Sequence, residues 1–511
     1  MVGNKSKGTT KKLTTGTNNQ IVKITGPTLR DFLIHFRRPT LTKYNGLYGF
    51  DWLRDEYVYD YLKVIENKDS ETQLYRGDVR ELIKEYTRLS SSDTADVKEL
   101  ANIKPTNGEP YIPAWLSIIP THSTTLKGVP IDLHLQIDQE NSDDGSELTN
   151  DGTIIEFITS PGITITPNSI SLGDLIKGGR LSPDVLNSSN SVFQSKTIHR
   201  YRDESTTFKI ESNVTDGLPG SIQIKASLRG AERIVGLLMI YPNIPKTCEI
   251  VPYKFSSVLG NTSVTVPQYL EDYLAQTLLR QACITSKIEK IKLLNIADLK
   301  QQYEKSQKAS FAINKDMALS LINGFLAQYP SPSIRDLTES EGDAFPDDLA
   351  KLMAAILRET TNNNSIDGLY IDSDNHKKTF LVFTNYVTPD AAGIATWDYK
   401  EIHNQSCNPE PCYIDEAGNL GVMYKYDGSK LHALTAIHEL GHTLGLPHTF
   451  ETTSSAKHQF YQGYTDNIMD YDTKIDNLGT YQDVQFNDFY EHNLASFKWQ
   501  WDIIRNDRSV Y

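Results

Sequence analysis

"HELGHTLGLPH", residues 438–448, places three histidines, one glutamate and two glycines in eleven positions. On a helix at 100° per residue, His438 and His442 project from one face about a turn apart. Ala433, Ile437, Leu440 and Leu444 fall on roughly the opposite face, as a buried seam would. Gly445 tolerates positive φ, so the helix can end there, and Pro447 discourages its continuation. His448 can then swing back towards the first two imidazoles. Two imidazoles fixed on one turn and a third returning are three of the four ligands of tetrahedral zinc, with one position left for water. Glu439 points off the ligand face at the edge of the site. A carboxylate there can take a proton from water made acidic by the metal and pass it to a leaving amine.

Residue frequencies in this chain give H-E-x-x-H-x-x-G-x-x-H by chance on the order of 10⁻⁵ times. A helix whose histidines merely cap or pack is therefore the poorer explanation, and one catalytic Zn2+ is the expected cofactor.

The same residues resemble the extended zinc motif of the metzincin metallopeptidases. That clan also has a Met-turn beneath the metal, for which "NIMDYD" (467–472) supplies Met469, and the pairing of "GLPHTF" with "NIMDY" is most similar to the pappalysin-type branch. The resemblance implies His438, His442 and His448 as zinc ligands, Glu439 as general base and acid, and Tyr471 as a tyrosine reaching the metal or the oxyanion. It also implies that "AAGIATW" (391–397) is the edge strand that holds an extended substrate. No upstream cysteine switch is evident. Cys248 and Cys283 read as buried structural cysteines, and Cys407 and Cys412 in "CNPEPC" read equally well as a small disulfide loop or as two free thiols.

At 511 residues the chain is expected to hold several domains. We read 1–20 as a disordered tail and 21–115 as an accessory domain with a helix at "DVRELIKEY" (78–86). Period-two alternation in "IDLHLQID" (131–138) and "SIQIKASL" (221–228) predicts a β-rich immunoglobulin-like sandwich over 116–245. Strands at 247–258, 378–387 and 391–397 alternate with helices at 267–282, 347–360, 429–445 (with Ser429 as N-cap) and 486–505. This pattern predicts an α+β or α/β catalytic domain over 246–511. The fold class is thus multidomain α+β, β-rich first and metzincin-like last.

Net charge is −14, which lacks the basic footprint of a nucleic-acid binder, and no apolar run approaches a membrane span. The basic N-terminus has no apolar core of a signal peptide, so the protein is expected either to stay in the cytoplasm or to leave by a route that does not read one. "YNGLYGFDWLRDEY" (44–57) resembles stretches of bacterial proteins carried by type VI-like secretion machines; an aromatic core segment explains it as well. Acidic positions Asp466, Asp470, Asp472 and Asp476, and "DSD" at 372–374, could bind Ca2+ but lack the closing glutamate of a spaced loop, so solvated turns are expected. His432, His458 and His492 have no ligand spacing. "FKWQW" (497–501) reads as an aromatic helix under the site.

These readings predict a zinc endopeptidase acting on protein or peptide, delivered as an effector or toxin, with upstream modules that bind a secretion machine or target. The rivals are a zinc hydrolase of cell-wall peptide cross-links and a binding component of a secretion assembly with a vestigial zinc site. An intact Glu439 counts against the vestigial site, because a structural metal needs no base.

Overall fold

The computed structural model describes residues 28–39, 43–54, 57, 74–90, 92–104, 110–121, 123, 128–129, 131–140, 147–181, 185–186, 197–214, 217–242, 244–261, 263–267, 270–305, 315–333, 335–357, 378–389, 391–402, 412–425, 430–451, 457–471, 473–474, 485–486, 493–507 and 509–511. The tail, Ser429, Cys407, His492, Asp472, Asp476 and the 372–374 acids lie outside these residues. The content is mixed α and β, and no described helix is long and apolar enough to cross a membrane.

Alternating apolar residues build two six-stranded sheets in the N-terminal half. In one, Ile131–Glu140 is flanked by Leu33–Arg37, Thr197–Arg202 and Phe208–Ser212. In the other, Gly220–Leu228 pairs with Ala231–Ile240 and Ile154–Thr159, and Ala114–Ser117 joins as a parallel neighbour of Ala231–Ile240. Their apolar faces meet: Phe157 of the second sheet stacks edge-on against Phe208 of the first at 5.1 Å. Gly236 is needed for this approach, since a Cβ there would lie 2.3 Å from the Ile34 carbonyl. Strands from 33–37 and 49–51 are thus shared with the sheets of 116–245.

The C-terminal sheet begins at Lys246–Ser256, whose neighbours Ile284–Ile288, Lys292–Asn295 and Thr379–Phe383 all run parallel to it. Cys412–Met423 follows Thr379–Phe383 in parallel, and Gly393–Ile402 closes that end antiparallel. Side chains of Thr379–Phe383 alternate between two cores, Leu381 and Phe383 facing one and Phe380 and Val382 the other. The second core is covered by helices Ile296–Lys305, Lys315–Gln328 and Glu339–Leu357. The first is covered by Lys430–Thr443, whose Ala433, Ile437 and Leu440 are buried as the sequence pattern expects. Ile437 and Leu440 each contribute on the order of 1.5–3 kcal/mol when fully buried.

Three helix expectations change. The segment 267–282 forms two short helices, Leu270–Gln276 and Leu278–Gln281, because Thr277 between them has a non-helical backbone at φ −120°, ψ −108°. The helix expected over 347–360 starts eight residues earlier, at Glu339, and runs through Pro346. The carbonyl that Pro346 cannot serve is that of Gly342, and the Tyr424 hydroxyl donates to it instead at 2.5 Å. The last helix is only Lys498–Arg505, not 486–505. Gln485–Phe486 is a strand against Thr473–Lys474, and the backbone of Ala495 is engaged with Asp466 and Ile468 rather than with a helical turn.

Candidate metal centre

Helix Lys430–Thr443 carries His438 and His442 out of the core beneath the sheet. It ends through Gly445, at φ +89°, with the Gly445 N–H donating to the His442 carbonyl and the Leu446 N–H to the Gly441 carbonyl. That reversal returns His448 to the helix. The imidazoles meet through their Nε2 atoms: His448 Nε2 lies 3.1 Å from His442 Nε2 and 3.1 Å from His438 Nε2.

Every Nδ1 faces an oxygen acceptor. His438 Nδ1 is 2.8 Å from the Ile468 carbonyl, His442 Nδ1 is 2.7 Å from the Leu446 carbonyl, and His448 Nδ1 is 2.7 Å from Glu451 Oε1. Each Nδ1 must therefore carry the proton, which leaves three Nε2 lone pairs converging on one point. Lone pairs so placed repel one another unless a cation lies among them. Ligands about 2.0–2.1 Å from a tetrahedral zinc stand about 3.3 Å apart, close to the 3.1 Å of the two pairs that His448 makes. The residues fit the metal, and this is the one grouping of metal-ligand geometry among the described residues. Burial, with the neighbouring His448, lowers His438 to about 3 against the opposing pull of the Ile468 carbonyl, and His442 is also lowered by burial and its two neighbours. Neutral imidazoles are the form a metal binds.

Glu439 is 5% exposed, and burial pushes its carboxyl up to about 8. No donor among the described residues engages it. Gly393, first residue of the edge strand Gly393–Ile402, lies directly over it: a Cβ there would fall 2.7 Å from Glu439 Cγ and 2.9 Å from Oε1. The "AAGIATW" segment thus passes beside the expected base.

Met469 is fully buried under the helix and touches it where Gly441 leaves space, since a Cβ on Gly441 would lie 2.4 Å from Met469 Sδ. Its N–H donates to Asn467 Oδ1 at 2.9 Å, and its carbonyl accepts from the Thr449 N–H at 3.1 Å. The ring of Tyr471 stands 4.8 Å from that of His448 and 5.8 Å from that of His438, with 40% of the residue exposed. All six residues singled out in the sequence, His438, Glu439, His442, His448, Met469 and Tyr471, are therefore neighbours.

Other candidates sit elsewhere. Asp466 is held by Arg38 and Arg54. Asp470 accepts from the backbone of Gly463, Thr465 and Tyr471 and from the Thr465 hydroxyl, so both carboxylates already face protein donors. His458 is buried between the Tyr75 hydroxyl, 2.7 Å from its Nδ1, and Glu85, 3.2 Å from its Nε2. Cys248 and Cys283 are buried free thiols, Cys248 pushed up to about 12 by burial. The helix that follows Phe497 packs near the site: Gln500 Oε1 accepts from Asn467, two residues before Met469, at 2.8 Å, and Ile503 lies 3.4 Å from where a Gly445 Cβ would be.

Sequence reasoning missed Glu451 and the Ile468 and Leu446 carbonyls as orienting partners. Glu451 was within reach, being an acid three residues after a ligand; carbonyls have no residue type to betray them. Compared with known proteins, the chain matches no family model and no curated protein sequence.

Proposed function

We propose that the chain is a zinc-dependent endopeptidase of metzincin type, with 246–511 as its catalytic domain and, before it, an immunoglobulin-like accessory sandwich built on 116–245 together with strands 33–37 and 49–51. One observation carries the reading: three Nε2 atoms converge while each Nδ1 is tied to an oxygen, beside a buried carboxyl. His438, His442 and His448 would hold the ion. When bound, zinc supplies the Lewis acidity that activates water and polarises a scissile carbonyl.

The chain's own residues perform the rest. Glu439, as its carboxylate, would accept a proton from the attacking water and deliver it to the leaving amine nitrogen. The edge strand Gly393–Ile402 has its free side open among the described strands, so an extended peptide can pair with it antiparallel over Glu439. A cavity of about 340 Å³ between Thr388, Ala391, Ala392 and Tyr424 opens at the start of that strand, where a substrate side chain would lie. Tyr471, whose ring lies half-exposed beside His448, would supply the hydroxyl that donates to an oxyanion.

The test is incubation of the zinc-loaded protein and its Glu439→Ala variant with unfolded casein, with fragments read by mass spectrometry. Cleavage by the wild type alone, abolished by a chelator, is expected. Equal fragments from both proteins, or none from a zinc-loaded wild type on casein and on cross-linked cell-wall peptide alike, refutes it.

A further inference from the structure

The "YNGLYGFDWLRDEY" segment reaches the metal centre without touching it. Arg54 donates through Nη2 to Asp466 Oδ1 at 2.8 Å, and Arg38 makes an ion pair with the other oxygen of Asp466. Arg54 Nη1 also reaches Asp51 Oδ1 at 3.1 Å, and Asp51 Oδ2 accepts the Lys498 N–H at 2.8 Å. All four charged residues are at most 8% exposed. The guanidinium groups are walled by aromatic rings, Arg38 at 4.3 Å from the centre of Tyr44 and Arg54 at 4.2 Å from that of Trp52.

Two positive and two negative charges balance, yet removing four charges from water costs several kcal/mol per ion, which apolar packing would avoid. A network like this is better suited to holding one geometry than to raising stability. The geometry it holds is two residues from the metal centre. Asp466 is fixed by its carboxylate and by its carbonyl, which accepts the Ala495 N–H at 3.1 Å. The Ile468 N–H then donates to the Ala495 carbonyl at 2.8 Å. The Ile468 carbonyl, so aimed, receives His438 Nδ1–H. Partners of this kind set the tautomer and direction of a ligand imidazole.

We infer that Arg38 and Arg54 are positioning residues of the metal centre, acting through Asp466 and the Ile468 carbonyl on His438, so that the N-terminal segment is a working part of that centre. This rests on the reading of the three histidines as a metal site, though not on the reaction assigned to it.

The experiment uses the full-length chain and measures the zinc dissociation constant by chelator competition, together with the visible absorption of the cobalt-substituted site. The variants are Arg54→Met, Asp466→Asn and Arg54→Lys, which keeps the charge but loses the fork. The control is Arg200→Met, which breaks the partly buried pair Arg200 makes with Asp138 at 2.8 and 2.9 Å in the N-terminal sheet. We expect zinc affinity to fall about 10–100-fold in Arg54→Met and Asp466→Asn, less in Arg54→Lys, with an altered cobalt spectrum. Arg200→Met should lose thermal stability while keeping wild-type affinity and spectrum. Should Arg54→Met not fold, the Arg54→Lys comparison decides. Wild-type affinity and spectrum in the folded Arg54 variants overturn the inference; a wild type that binds neither ion overturns the metal site itself.

Discussion

Replacing Gly441 by alanine sets two effects against each other. In a helix interior, alanine is favoured over glycine by about 1 kcal/mol. Against that, the new Cβ would lie 2.4 Å from Met469 Sδ and 3.2 Å from Cε, where carbon contacts normally rest at about 3.5–4.0 Å. Met469 is fully buried, and its backbone is tied at both ends to Asn467 and Thr449. Its thioether can make room only by repacking inside a filled core, and overpacking of this kind costs about 1–3 kcal/mol. The net expectation is a loss of about 0–2 kcal/mol. A double-mutant cycle isolates the clash. Met469→Ala alone should cost about 2–5 kcal/mol. In Gly441→Ala/Met469→Ala the clash has gone while the helix preference remains, so the double variant should be more stable than the sum of the singles by the size of the clash, about 1–3 kcal/mol. Urea unfolding of the four proteins, followed by tryptophan fluorescence, gives the coupling. Additivity within about 0.5 kcal/mol would refute the argument.

Gly393→Ala should displace the Glu439 carboxyl and lower casein cleavage about 100-fold while leaving the zinc dissociation constant unchanged; full activity would separate the edge strand from the base. Asp138 gives a pH dependence. Burial raises its carboxyl, but the charge and hydrogen bonds of Arg200 outweigh that and hold it well below the usual range. A folded-state value below the unfolded one, about 3.9, means its stabilisation is present at neutral pH and is lost as pH falls below about 4. Asp138→Asn should therefore be less stable at pH 7 and show a flatter acid limb in thermal melts taken from pH 7 to 3.

The metal centre was legible because its residue types are rare and its spacing follows helical geometry. His438 and His442 needed only the helical period, and His448 needed only the left-handed glycine at 445. The strands at 131–140 and 220–228 were legible for the analogous reason, a strict period of two. What escaped depends on contacts between distant parts of the chain. Apolar spacing over 486–505 suits a helix, yet the Ala495 backbone serves Asp466 and Ile468. Nothing local in 267–282 marks Thr277 as a break. Gly441 looked like one more helix position, and its use is visible only once Met469 lies beneath it. Arg54 and Asp466 are 412 positions apart, a pairing that composition and periodicity do not record.

The bond from Tyr424 to the Gly342 carbonyl makes history matter. With Pro346 in place, losing the Tyr424 hydroxyl leaves a buried carbonyl without its donor, at a cost of about 1–3 kcal/mol. If the proline were first exchanged for alanine, the new N–H could serve that carbonyl and the tyrosine would be released to vary. Two residues 78 apart are therefore open to drift in one order and closed in the other.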